Sequence, residues 1–585
     1  MQPPRPTQPH RPILLTVPKP SINRPGPSRT HDGPPQSENN GEHPAPEDAG
    51  RETPHPTERH DKFITSTSPT TVYIAVLLVF FVSSLEQQTN SSLFIYVLSL
   101  FSQHPAIAYI GMAVNILSGL VNIVYTNSLK GGSYFTCFFS VVLVTSIGFV
   151  ISATCKTSWS LAVGQLITCF GYQALSYILD VIICDISSLE NRAWLLALSR
   201  SPYIVNTFVG PNLAQKIFQK GSWRLAYGIS GVILPAMCAP LGAILAIEVA
   251  KTKATPQRTN SLPLWKDMGR LILETDVIGL LMFSAASGLL AALSASSSAY
   301  EDVKSPRKVL EIVAGVLFWI SFVIWEVSYA PRRFAAFHLL INPTVLGACL
   351  GGAALLTSFH CLDAYFLSYI QVVYNISISR AGYIYNIHAI GACCFAILAG
   401  ISIRATGKFK WLALSAIAWH FIATGLLFYF RQPKRNIVQI AVSQLLISIS
   451  GGALGICGQM AILAVHTHTE PATVLGLLFF CTSFGAAVGQ TIASGIYTFY
   501  MPRALETHLP ADVKPWGRII YSSLIQQLSY PMTSPIRQAV ITAYNEVMQH
   551  LCIAGLCVLP IALLSITMWQ NVSVKKGKPN ENGAP

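Results

Sequence analysis

From residue 71 to residue 570 the chain returns again and again to apolar stretches long enough to cross a bilayer. Runs such as TVYIAVLLVFFVSSL, YFTCFFSVVLVTSIGFVI and LCIAGLCVLPIALLSITMW approach the roughly 20 residues that carry a helix through about 30 Å of hydrocarbon. They do not alternate apolar and polar residues as membrane-barrel strands do, so the expected fold is an all-α polytopic membrane protein. Composition agrees: 51% of the residues are hydrophobic and 11% charged, against about 25% charged in soluble proteins.

The runs place spans at residues 71–91, 105–126, 134–154, 158–183, 193–214 and 223–247, then at 272–295, 308–328, 341–361, 381–402, 412–430, 436–464, 470–498 and 548–570. That is about 14 helices. The organisation is a disordered cytosolic tail over 1–68, a first bundle over 69–250, a basic loop over 251–271, and further spans over 272–498. An extracellular loop over 499–547, the last span over 548–570 and a cytosolic tail over 571–585 complete it. The first segment is rich in Pro, His, Ser and charge and has nothing with which to bury a core; no cleaved signal peptide is expected there.

An even number of spans puts both termini on one side. Arg59, Lys62, the basic central loop, Arg332, Arg333, Arg404, Lys408, Lys410, Lys575, Lys576 and Lys578 then share that side, which the positive-inside tendency makes cytosolic. Two sequons, at Asn90 and Asn375, fall in outward-facing loops on this topology, where glycosylation requires them.

In a soluble protein the formal charge of +13 would suggest nucleic acid; here the basic residues sit mostly in short loops, and no nucleic-acid partner is expected. The 13 cysteines lie almost entirely within spans, without metal-ligand spacing, so neither a metal site, a cofactor nor a disulfide framework is expected. No nucleotide-binding loop occurs (TGKFK lacks the leading glycine), which excludes ATP-driven transport, and without HExxH or Gly-x-Ser-x-Gly no enzyme is expected. The work must come from a gradient.

Four segments carry a resemblance. DVIICDISSLENRAWLLALSRSPYIVNTFVG, LDAYFLSYIQVVYNISISRAGYIYNI with the following IRATGKFK, THTEPATVLGLLFF to MPRALETHLP, and RIIYSSLIQQLSYPMTSPIRQAVITAYNEVM resemble, in order, the fungal siderophore-iron transporters of the major facilitator superfamily. The resemblance implies that fold: two pseudo-symmetric halves around a midplane cavity plus two extra helices, in a monomer of the plasma membrane, with a vacuolar or endosomal membrane as the alternative. Its implied partners are a small-molecule substrate, protons and the lipid bilayer. One departure is NIVYTNSLKGGSYF, which lacks the acid that the superfamily keeps after its second span. The helix latch made there is expected to be weakened.

Ionisable residues inside spans are costly and mark candidate sites. Glu86 is the leading candidate for proton coupling, because a carboxyl held in a span can load a proton on one side and release it on the other; the alternative is an acid anchoring a wet helix end. His360 and Asp363 share a helical face, and with Tyr365 and Tyr369 they read either as the outer mouth of a substrate cavity or as an interfacial girdle. His388 reads either as a coupling residue or as a hydrogen-bonded core histidine. Asp180 and Arg200 lie at similar depth in adjacent spans and are expected to face each other, as a gate or a structural pair. Asp185 and Arg192 resemble the family's junction motif and read either as a latch between helices or as plain solvated charge, with Arg404 on the same side. Tyr521 and Tyr530 in the outer loop are expected to touch an incoming complex or to pack within a lid. Gly451, Gly452, Gly455 and Gly458 are expected to space a close helix contact. The reading is proton-coupled import of a ferric siderophore; the alternatives are antiport efflux of a secondary metabolite and a non-transporting sensor.

Overall fold

The computed structural model describes residues 67–101, 104, 107–131, 134–221, 223–254, 282, 306–325, 328, 337–431, 436–465 and 471–574. The tail over 1–66, the greater part of the basic central loop, the span at 272–295 apart from Met282, Arg332, Arg333, Lys575, Lys576 and Lys578 lie outside the described residues. Among the described residues every long element is a helix and no strand occurs.

The first half holds α1 (Pro69–Leu100), α2 (Ile107–Gly131), α3 (Tyr134–Thr154), α4 (Ser158–Ile186), α5 (Leu189–Leu198), α6 (Pro202–Gln219) and α7 (Trp223–Ala254). After α8 (Pro306–Ile324), the second half holds α9 (Pro343–Asp363), α10 (Phe366–Tyr374), α11 (Ile378–Tyr385), α12 (Ile387–Thr406), α13 (Lys410–Phe430), α14 (Ile437–Val465) and α15 (Pro471–His508). Two short helices, α16 (Gly517–Ser522) and α17 (Leu524–Ser529), precede the last long one, α18 (Pro535–Thr567). Among the described residues ten helical segments are long and apolar enough to cross a membrane, with shorter apolar stretches at Ile110–Thr126 and Val313–Ile324. In hydrocarbon a backbone must satisfy its own hydrogen bonds, and a helix does this locally. The outward faces suit lipid: Leu225, Ile229, Val232 and Ile233 on α7 and Leu310, Val313, Leu317 and Ile320 on α8 are all exposed.

Local chemistry sets the ends. Thr157 and Ser160 cap α4 reciprocally, Asn342 accepts from the Thr344 amide at 2.9 Å beside Pro343, and Gly407 ends α12 at φ +75°. The span expected at 193–214 is broken into α5 and α6, with Pro202 starting the second piece. Two expectations need correction. Asn90 is not in a loop: α1 continues ten residues past it to Leu100, and Asn90 is a buried helical residue, unavailable for glycosylation. The outer loop expected over 499–547 shrinks, because α15 runs through Pro502 to His508 and α18 starts at Pro535 under the Ser534 cap. With 38 residues, α15 is ~57 Å long and overshoots the hydrocarbon. Apolarity locates the part of a helix inside the bilayer and is silent about the part that protrudes.

The halves meet along two seams, α2 against α15 and α5–α6 against α11–α12. The face at which α1 begins is called proximal below, and the face at which α1 ends distal.

Candidate functional site

Between the halves lies a cavity of about 460 Å³. Its wall on the first half is polar: Asn115, Asn122, Gln173 and Ser176 line it, with Asp180 and Arg200 below them. The second half contributes Phe359, His360, His388, His420, Gln459 and a run of glycines. The lining reaches Ile566 and Trp569 at the proximal end of α18 and stops short of the distal ends of α10, α15 and α18.

Asp180 and Arg200 do face each other. Arg200 Nη2 donates to Asp180 Oδ2 at 2.6 Å, Nη1 donates to Ser176 Oγ at 2.8 Å, and the guanidinium lies over the Phe80 ring at 4.8 Å. Asp180 is fully buried whereas the Arg200 side chain keeps 28% of its surface, so the pair floors the cavity from one side. Asp185 and Arg192 take separate partners. Tyr134 donates to Asp185, joining α3 to α4, and Arg192 Nη2 donates to the Cys184 carbonyl at 2.9 Å, where a cation meets the negative end of α4. Arg404 is exposed in the last turn of α12.

Just before the loop that lacks the acid, hydroxyl groups bond across the halves. The Tyr177 hydroxyl donates to the Ala472 carbonyl at 2.7 Å and lies 2.6 Å from Thr126 Oγ1, joining α2 and α4 to α15 across the halves. Gly476 makes room for it, since a Cβ there would fall 1.9 Å from Thr126 Oγ1. These bonds join the halves beside the loop that lacks the acid.

The histidines occupy three helices. His360 Nδ1 is 3.1 Å from Gln490 Nε2, and His388 stacks on Phe359 with centroids 4.5 Å apart. His420, which sequence reasoning did not single out, is fully buried, and its Nδ1 is 2.5 Å from Ser450 Oγ. Its only sequence signal was a histidine in mid-span. The glycine expectation needs correction as well. Of the four on α14, Gly452 spaces a helix contact, a Cβ there falling 2.1 Å from the Ala392 carbonyl. Gly451 lies against His388, and Cβ atoms at Gly455 and Gly458 would meet nothing within 4 Å. Those three line the cavity.

Glu86 is in mid-helix and buried, not at a wet helix end. Tyr172 Oη donates to Glu86 Oε2 at 2.6 Å, while Oε1 has no hydrogen-bond partner among the described residues. It sits between α1 and α4, outside the cavity lining.

The distal side is closed. Tyr365 stacks on Tyr497 with centroids 3.8 Å apart, Tyr521 stacks on Tyr497 from above, and His104 Nε2 bonds Ser368 Oγ at 2.9 Å. Tyr96 donates to Gln371, and across the seam Gln215 Oε1 accepts from Ser379 Oγ at 2.6 Å. Tyr365 and Tyr369 are therefore fully buried in a plug and not on the wall of a cavity mouth, because the helix breaks at Ala364 and re-aims α10. Asp363 turns away from His360 and accepts from Tyr385 Oη at 2.8 Å. Tyr530 accepts from Gln526 Nε2 at 3.1 Å within the lid. Asn375 is exposed in the turn before α11, in the left-handed conformation that asparagine tolerates.

Two buried arginines that sequence reasoning missed hold this end together. Arg431 donates to the Leu362 carbonyl at 2.9 Å under the Phe366 ring, and Arg537 Nε donates to the Val372 carbonyl at 3.1 Å and Nη1 to that of Gln527. Each satisfies carbonyls left over where α9 or α10 ends. Arg431 lies beside a span end and Arg537 within the expected outer loop, where a basic residue reads as ordinary loop charge.

Comparison with known proteins gives a consistent result. The family described as Major Facilitator Superfamily matches residues 76–490. A protein of Ajellomyces capsulatus named "MFS siderochrome iron transporter 1" is 34% identical over 86% of this chain and 87% of its own length. "MFS siderochrome iron transporter D" of Aspergillus fumigatus is 31% identical over 86% and 85%. Among solved structures, a bacterial homolog of the human lysosomal transporter Spinster, inward-facing and unoccupied, superposes with a TM-score of 0.55 at 14% identity, covering 86% of this chain and 98% of that one. At that identity the likeness shows the fold.

Proposed function

The chain belongs to the fungal siderophore-iron transporter family of the major facilitator superfamily, and on that premise we propose that it imports a ferric siderophore across the plasma membrane, driven by protons. The observation that carries this reading is the cavity between the halves, sealed distally by side-chain contacts and lined down to the proximal end of α18. A solute bound there leaves towards the proximal side, and rocking of the halves reopens the distal side for the next. Its volume of about 460 Å³ lies within the range for small-molecule pockets.

Glu86 is the coupling residue. A buried carboxyl with one oxygen held by Tyr172 and the other without a partner among the described residues is a proton acceptor in a fixed place. Asp363, His360 and His388 supply further exchangeable positions near the distal plug, and Asp180 with Arg200 gates the proximal side. One proton falling through 100 mV yields about 2.3 kcal/mol before any pH difference is added.

The test is uptake of radioiron-loaded siderophores by iron-starved cells without their own carriers, at two external pH values. Saturable entry stimulated by acid is expected, and Glu86→Gln should abolish uphill accumulation while sparing exchange. Absence of entry despite surface expression turns the assignment to efflux or sensing. Uphill transport intact in the variant removes Glu86 from the mechanism.

A further inference from the structure

The second-half wall of the cavity is built differently from the rest. Gly451, Gly455 and Gly458 recur at four- and three-residue spacing, so they lie on one face of α14, and all three line the cavity. Side chains at Gly455 and Gly458 would meet nothing within 4 Å, so neither is there to let a neighbouring helix approach. Together they leave this side of the cavity free of side chains of α14, a floor against which a planar group can lie.

Beside the floor stand His388 and His420, from α12 and α13. His420 is 1% exposed. The Ser450 hydroxyl donates to the Ile447 carbonyl at 2.7 Å, so its oxygen accepts from His420 Nδ1–H at 2.5 Å. This network assigns the tautomer. In the neutral ring Nε2 then carries a lone pair and no proton, and it has no hydrogen-bond partner among the described residues. A buried acceptor without a partner is costly unless a ligand or solvent donor supplies one. His388 Nδ1 also has no partner there, and its ring is held against Phe359.

We propose that His420 and the Gly451, Gly455 and Gly458 face form a subsite that reads an N–H or O–H donor on a flat portion of the ligand, such as the edge of a peptide amide. The subsite rests on the reading of the cavity as a siderophore site and deepens it. The iron centre is enclosed by oxygen acceptors, so a donor must come from the organic shell, and the shell is what the subsite distinguishes. Ser450 is a positioning residue: it fixes which ring nitrogen faces the ligand.

The experiment is equilibrium binding to the full-length chain in nanodiscs. Four probes are used: a ferric trihydroxamate built on a cyclic hexapeptide, its backbone N-methylated analogue, and the iron-free form of each. N-methylation is expected to weaken binding roughly five- to tenfold, the worth of one hydrogen bond to a buried group. His420→Phe should bind both ferric probes equally, His420→Gln should recover part of the preference by restoring an acceptor, and Gly455→Leu should lower affinity more than tenfold by filling the floor. Thermal unfolding of each variant establishes that it is folded. Equal affinity of the wild type for both ferric probes, or a preference that survives His420→Phe, overturns the subsite alone. Donor-dependent binding of the iron-free peptides without binding of the ferric complexes overturns the siderophore reading and leaves the subsite standing. No binding of any probe to folded protein overturns both.

Discussion

The distal and proximal parts of the space between the halves are made of different materials. Distally, tyrosines stack at 3.8 Å, Gly382 lets α11 sit directly on Pro211 of α6, and Arg431 and Arg537 tie helix ends together without exposing any of their charge. Below that plug the halves enclose a cavity surfaced with amides, histidines, one ion pair and bare glycine backbone, while proximally Gly400 of α12 lies against Trp194 of α5 and Tyr177 reaches the Ala472 carbonyl. The distal part is packed as a protein core is packed, and the cavity below it keeps room for a ligand. One sequence supplies both, and the difference lies in whether its small residues face a neighbouring helix or face space.

Substitutions that swap these characters test the contrast. The largest effect should come from Gly382→Leu. A Cβ there already falls 2.6 Å from Pro211, so the distal seam cannot close and transport should drop more than tenfold. A membrane-impermeant thiol reagent should then label Ser379→Cys in that background and spare it otherwise; transport at the wild-type rate would show that this seam does not gate. Next comes Arg431→Leu, which strips the Leu362 carbonyl of its partner in a fully buried site. A loss of ~3 kcal/mol is expected in thermal unfolding, whereas Arg404→Leu at an exposed position should stay within ~0.5 kcal/mol. Similar shifts for the two would mean that the distal plug does not depend on its arginine. The smallest effects separate neighbours on α14: Gly452→Ala should cost ~2 kcal/mol through its clash with Ala392, and Gly455→Ala should be within ~0.5 kcal/mol. Equal cost at both positions would place Gly455 in a helix contact after all.

Much of the bundle was legible because bilayer thickness is written into apolar run length. The span at 134–154 coincides with α3, and most others agree to within a few residues at one end. The pairing of Asp180 with Arg200 was legible too, since two opposite charges at one depth have few other places to go. What failed depended on direction. Asn90 lies beyond the last strongly apolar residue of its run, yet the helix continues, because polar residues turned into a bundle need not end it. Tyr365 and Tyr369 read as lying just beyond a span, at a cavity mouth or an interfacial girdle, because nothing local shows that a second helix starts after Ala364 and carries them into a plug. The four glycines of α14 look alike in sequence; only the position of α12 tells the one that touches it from the three that line the cavity. Arg431 and Arg537 were invisible for a related reason. What makes them structural is the set of carbonyls at the ends of other helices, and no local pattern records those.

The hydroxyl junction formed by Thr126, Tyr177 and the Ala472 carbonyl has a kinetic consequence. Where a carrier fastens its halves with ions, every reversal of access pulls opposite charges apart, and the barrier feels whatever electrolyte bathes that face. Here the fastening is neutral, and its bonds can be exchanged for bonds to water with little electrostatic work. The share of the barrier set by this junction should therefore be nearly indifferent to ionic strength on the proximal face, leaving the Asp180–Arg200 pair, whose arginine is partly exposed, as the part that salt can reach.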